Sequence, residues 1–247
     1  NMYSIEQIYT NTPMNNVTGL FVFYQEVNIQ MLIKALNYCI RDNDSNRLQL
    51  GLNEDSSPFQ YLANYVEESF KISTFSNTDE VFDFAQKIAD TPIFGFYKKL
   101  YTVDVFTLPQ NRGGFIFNFH HLISDAWTIQ LLIDSALCHY LTLIGSDEVI
   151  PELPNYSYLD YTSSYEEYLK SNKYIKDKEF WKNTYSSLPT PITLPVSLSN
   201  EVDFLDCSAT RKTFPFSQKE MNEIRKYCDD NKITLYSFFL AIHSLYL

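Results

Sequence analysis

Between Lys98 and Leu141 the sequence runs KKLYTVDVFTL, a turn over residues 110–114, FIFNFHH and then WTIQLLIDSALCHYL. The first and third segments are rich in aromatic and β-branched residues, as strands are. In the last, apolar residues at 129, 132, 133, 136, 137 and 140 return at helical spacing. Strand, turn, strand and helix thus follow one another in immediate succession. The rest of the sequence extends the pattern. FVFYQ reads as a strand, and NIQMLIKALNYCIRD as a helix with Asn28 placed to cap it. TDEVFDFAQKIAD is a helix with Thr78 as its expected cap and Asp79 and Glu80 in the positive first turn.

After Gly145 the texture changes. YSYLDYTSSYEEYLKSNKYIKDKEFWKNTYSSL is helical, polar and rich in tyrosine, which suits a helix lying across a surface. PTPITLPVSLSN holds three prolines and reads as an extended connector. A strand, ATRKTFPF, leads to a helix opened by Ser217 and Glu220 at capping-box spacing, and an apolar helix capped by Thr234 follows.

Six glycines are few for 247 residues, and they cannot spell G-x-G-x-x-G, a P-loop or G-x-S-x-G. Dinucleotide folds, nucleotide hydrolases and serine α/β-hydrolases lose their usual signatures. A net charge of -11 opposes sequence-independent binding to phosphate backbones, so no nucleic-acid partner is expected. Cys39, Cys138, Cys207 and Cys228 are widely spaced and read as buried free thiols. With no signal peptide at the polar N-terminus and no apolar run of the ~18 residues a span requires, the expectation is a cytoplasmic protein without a membrane partner.

GFIFNFHHLISDAWT puts two adjacent histidines at a strand end. Strand side chains alternate, so Phe115, Phe117, Phe119 and His121 share one face, and Ile116, Asn118 and His120 the other. Diverging histidines are poor joint ligands, and no metal is expected from His120, His121 and Asp125. A lone histidine is more often a satisfied core residue than a catalyst, and His139 and His243, inside apolar helices, take that reading. Asp125 sits where an N-cap belongs, with Ser124 competing for the role. The functional reading of the pair rests on placement: a strand end, a short turn and a helix start hold reactive groups at the rim of a core. Imidazole is the side chain suited to exchanging a proton near neutral pH.

HHLISDAW, residues 120 to 127, resembles the H-H-x-x-x-D-G motif of non-ribosomal peptide synthetase condensation domains, within the chloramphenicol-acetyltransferase-like acyltransferases. SNRLQL looks like the family's L-R-x-x-F segment, and PFQYL like its P-x-Q stretch. KEFWKNTYSSLPTPITLP resembles the F-W-x-x-x-L region with its proline-rich crossover, and ITLYSFFLAIHSLYL the helix that opens a second lobe. The similarity runs in order over nearly the whole chain.

The resemblance implies a V of two related α/β lobes, each a mixed sheet flanked by helices, with the motif at the floor of a tunnel. Residues 1–180 would form the N-terminal lobe carrying HHLISDA, and residues 181–247 the crossover and the start of the C-terminal lobe. Asn1 before Met2 looks like a tag remnant. Should Met2 be the native start, the domain would open its synthetase, as a loading or acylating starter does. By motif position His121 inherits the catalytic role, with His120, Asp125, Ala126 and Trp127 supporting it. Asp125 is expected to pair with Arg47 in a structural ion pair. The implied chemistry is amide-bond formation between a carrier-bound acyl or peptidyl thioester and a carrier-bound amino acid. No cofactor is bound directly; the phosphopantetheine arms of carrier proteins tether the substrates. The implied partners are carrier and adenylation domains and the remainder of the second lobe, without which this piece is expected to be inactive.

Ala126 departs from the family's glycine and puts substrate clearance there in question. Other functions share the motif: a stand-alone acyltransferase using coenzyme A or a carrier, an epimerisation domain, and a carrier-binding platform without turnover.

Overall fold

The computed structural model describes residues 2–146, 157–190 and 212–246. In chain order the elements are α1 (Met2–Ile8), β1 (Asn16–Phe23), α2 (Ile29–Asp42), a 3-10 turn (Asp44–Arg47), β2 (Leu48–Leu52), β3 (Pro58–Leu62), β4 (Lys71–Thr74) and α3 (Thr78–Ala89). Then come β5 (Tyr101–Leu108), β6 (Arg112–His120), α4 (Ala126–Leu143), α5 (Tyr158–Leu169), α6 (Asn172–Thr184), α7 (Gln218–Asp230) and α8 (Leu235–Tyr246). They fall into two compact units, Asn1–Ser171 and Asn172–Leu247. The division comes nine residues before the expected 180/181 boundary, and it places α6 in the second unit.

The first unit is built on a mixed four-stranded sheet in the order β1-β6-β5-β4. β6 runs antiparallel to both β1 and β5, while the edge strand β4 joins β5 in parallel. A separate antiparallel pair, β2 with β3, carries the LQL end of SNRLQL and the PFQYL segment. The alternation in β6 decides what lies on each side of the sheet. Phe115, Phe117 and Phe119 enter the larger core with Leu32, Leu36 and Cys39 of α2 and Ile129, Leu132 and Ala136 of α4. Ile116, Phe106 and Leu108 form a second core with Val81 and Ala85 of α3 on the opposite side. Burial pushes the Cys39 thiol up to about 12, and this thiol and that of Cys228 are free and buried.

Asn118, wholly buried in β6, has its polar atoms engaged. It accepts from the Thr18 hydroxyl at 2.9 Å and donates to the Ile88 carbonyl at 3.1 Å, tying the sheet to the end of α3. Glycines 113 and 114 are needed for close packing: a Cβ at Gly114 would lie 2.0 Å from the Phe21 carbonyl oxygen, and one at Gly113 2.4 Å from that of Phe106.

The Asn28 cap accepts from the Met31 amide at 3.1 Å. The cap of α3 is Asn77 rather than Thr78: Asn77 Oδ1 accepts from the Glu80 amide at 3.0 Å, and Thr78 is the first helical residue. In the second unit, Ser217 and Glu220 form the expected capping box on α7, and Thr234 accepts from the Ser237 amide at 3.0 Å at the start of α8. Residues 191–200 of the connector, 209–211 of the expected strand, and Cys207 lie outside the described residues; residues 212–216 join no ladder.

Candidate active site

The two motif histidines have different surroundings because the strand ends between them. His120 is the last residue of β6, paired with Asn16, and its amide donates to the Leu100 carbonyl at 2.8 Å. Its ring is 1% exposed, lies beside Phe94 and places Nε2 3.0 Å from Glu6 Oε1. The Leu122 amide donates to Nδ1 at 3.1 Å. An N–H can donate only to the unprotonated ring nitrogen, so the ring is neutral with its proton on Nε2, facing Glu6. Burial holds the His120 pKa below the ordinary imidazole value, against the upward pull of Glu6.

That shift has a sign in stability. Between the depressed folded value and the ordinary value near 6.5, the unfolded chain binds more protons than the folded one, so stability rises with pH across that window. The contribution is complete above about pH 6.5 and is lost on acidification below it. Urea denaturation at pH 7.5, 6.5 and 5.5 is expected to show this fall. His120→Gln should flatten the slope in part, leaving the share of His139, which burial also depresses. An unchanged slope in the variant would contradict the assignment.

His121 leaves the ladder. Its amide donates to the Asn15 carbonyl at 2.7 Å, while its half-buried ring lines a cleft of about 490 Å³ with Ser45, Asp125, Thr128, Tyr158 and Tyr161. The tyrosine wall is held by Asp44. One carboxylate oxygen accepts from the Ser157 hydroxyl at 2.6 Å and the other from the Tyr158 amide at 2.9 Å. From there Tyr158, Tyr161 and Tyr165 run up α5 as a ladder of adjoining rings. The helix expected to lie across a surface also supplies this wall. The available signal was Ser157 in an N-cap position before a tyrosine repeated every three to four residues.

Asp125 caps α4. It accepts from the Thr128 amide at 2.7 Å and the Thr128 hydroxyl at 2.8 Å, and its own amide donates to Thr128 Oγ1 at 3.2 Å, closing a capping box. These bonds, with a smaller contribution from His121, hold its carboxyl below the usual carboxylate range. The ion pair expected between Arg47 and Asp125 is not formed. Among the described residues no salt bridge joins them, and Arg47 Nη1 instead donates to the Ala63 carbonyl at 3.1 Å. The physical reason is local: the first turn of α4 offers Asp125 its donors at no reach, whereas Arg47 turns toward the exit of β3. Asp125→Ala should therefore cost about 1 kcal/mol, the ordinary value of an N-cap. Its double-mutant cycle with Arg47→Ala should show coupling within about 0.5 kcal/mol of zero by urea denaturation. Coupling of several kcal/mol would restore the ion pair.

Ala126 is the exposed first residue of α4, in a helical position that alanine suits. Trp127 beside it is 72% exposed. The structure thus brings His121, Asp125 and the tyrosine wall together at one cleft, buries His120 away from its lining, and leaves Arg47 outside that lining.

The condensation domain model matches residues 1–247. The chain belongs to the condensation domain family. Among curated relatives it is similar to surfactin synthase subunit 1 of Bacillus subtilis (strain 168), at 27% identity over 98% of this chain and 7% of that protein. It is also similar to a plipastatin synthase polypeptide of the same organism, at 28% identity over 96% of this chain and 9% of that protein. The condensation-domain chain thus spans less than a tenth of the length of either relative. Among solved structures, the starter condensation domain of rhizomide synthetase shares its fold with a TM-score of 0.66 at 16% identity, covering 77% of this chain and 47% of that one. The first condensation domain of the calcium-dependent antibiotic synthetase aligns with a TM-score of 0.66 at 15% identity, over 78% and 47%. The mixed α/β lobe is therefore that of condensation domains, and the chain covers about half of them. Among the described residues no helix is long and apolar enough to cross a membrane.

Proposed function

We propose that this chain contributes the base-bearing lobe of an amide-forming acyltransferase, acting on an acyl or peptidyl thioester and an amino-acid amine, each tethered to a carrier domain. One observation carries the reading: of the two motif imidazoles, His121 alone lines an open cleft, while its neighbour is sealed and committed to Glu6. The amine nitrogen attacks the thioester carbonyl and a C–N bond forms. The nitrogen's proton passes to the His121 imidazole as the tetrahedral intermediate forms or collapses. The C–S bond then breaks, and the departing thiolate takes up the proton. Asp125 fixes the start of α4, and the Asp44-anchored tyrosines shape one wall of the cleft. No bound cofactor enters; the phosphopantetheine arms arrive with the substrates. Carrier and adenylation domains and the rest of the second lobe are the partners this chemistry requires.

The test is a single-turnover assay on the full natural polypeptide, with an acylated donor carrier and an aminoacylated acceptor carrier, read by mass spectrometry of the acceptor. Transfer of the acyl group to the acceptor nitrogen is the expected product. Carrier binding without transfer would identify a recruiting platform and overturn the acyltransferase reading.

A further inference from the structure

Glu6 is a carboxylate in a polar N-terminal segment, yet it is only 2% exposed. One oxygen, Oε1, takes both of its hydrogen bonds, from Asn15 Nδ2 at 2.5 Å and from His120 Nε2 at 3.0 Å. The other, Oε2, is buried with no partner. Burying an acceptor without a donor costs stability, so Oε2 is held there at a penalty. Its two donors lead to the same place. Asn15, held at its side chain by Glu6, offers its backbone carbonyl to the His121 amide at 2.7 Å. His120, held at Nε2, turns Nδ1 to the Leu122 amide at 3.1 Å. The peptide units on both sides of His121 are therefore fastened to groups that one carboxylate orients.

The geometry points to Glu6 as the positioning residue of the His121 site, acting through Asn15 and His120 to aim the imidazole into the cleft. This deepens the reading of His121 as the base and rests on it. Glu6 touches no substrate, and what it supplies is alignment. Small misplacement of a catalytic group is costly, on the order of 10²-fold for about 1 Å. Acceptor geometry, not charge, is what the two bonds require. Glutamine keeps an oxygen at the same reach for both donors, whereas aspartate keeps the charge and withdraws by one carbon.

The experiment compares Glu6→Gln, Glu6→Asp and Glu6→Ala in the full natural polypeptide, with rates taken per folded molecule. Expected for Asp and Ala is a fall in the single-turnover rate of about tenfold to a hundredfold with donor KM within about twofold. Glu6→Gln should stay within about threefold of wild type. Loss with Gln and retention with Asp would overturn the proposal in favour of a charge effect, and equal rates in all three would overturn it outright. Nitrogen-15 imidazole spectra of the 247-residue chain give a readout independent of turnover and need only Glu6→Gln to fold. His120 should hold its proton on Nε2 in wild type and in Glu6→Gln, and a change of tautomer in Glu6→Gln would overturn the anchoring. Should His121→Ala react at the wild-type rate, the base assignment fails, while these spectra still decide whether Glu6 holds the turn.

Discussion

His121→Ala, in the full natural polypeptide, is expected to slow amide formation by about 10²- to 10⁴-fold in single turnover, the usual worth of a positioned general base. Binding of the acylated donor carrier should change little, because the half-buried side chain lines the cleft wall. The residual rate would come from holding two tethered reactants together, which supplies a large effective concentration without any base. His120→Ala should look different. That ring is sealed against Glu6 and Phe94, so its removal lowers the folded fraction before it touches chemistry. A pair of adjacent histidines that fail in these two distinct ways is the signature of the strand ending between them.

The largest stability effect is expected at Phe117. It lies at the centre of β6, fully buried, with ring centroids 4.7 Å from Phe115 and 5.6 Å from Phe119. β6 is flanked on both sides by strands, and its odd-numbered face carries the larger core, so the backbone cannot collapse into the space a truncation leaves. Phe117→Ala should cost about 3–5 kcal/mol by urea denaturation. A loss under about 1 kcal/mol would mean that the α2 and α4 side of the sheet is not packed as described. Loss of binding at the cleft should follow from this change only through the unfolded population.

These effects bear on how much could be read from the chain. The strand character of FIFNFHH was legible from its apolar, aromatic run, which β6 buries on both faces, and the helix after Asp125 from its helical spacing. Alternation was expected to separate His120 from His121 with His121 on the face of Phe119; instead β6 ends at His120, and His121 lies off the strand. Asp125 as a cap was legible too, since its partner, Thr128, is three residues away. What was not legible depends on partners distant in sequence. Glu6 meets His120 across 114 residues, and a single glutamate in a polar segment carries no pattern that announces burial. Asp44 meets Ser157 across 113 residues, which is why the tyrosine helix read as a plain surface. β4, four residues joined in parallel to β5, is too short for alternation to show. The Arg47–Asp125 pair came from family resemblance and not from any local rule, and here the local rule, the helix cap, took the carboxylate. Asn77 displaced Thr78 for a related reason: two capping residues stood side by side, and only the backbone could choose.

The most direct test of the open imidazole is chemical rescue. The cleft beside residue 121 has about 490 Å³ of space, room enough for free imidazole to enter once the side chain is cut back to alanine. Added imidazole should restore amide formation in His121→Ala in proportion to its concentration, and substituted imidazoles should do so in the order of their basicity. No rescue by any small base, or a wild-type rate in the alanine variant without one, would contradict proton transfer at this residue.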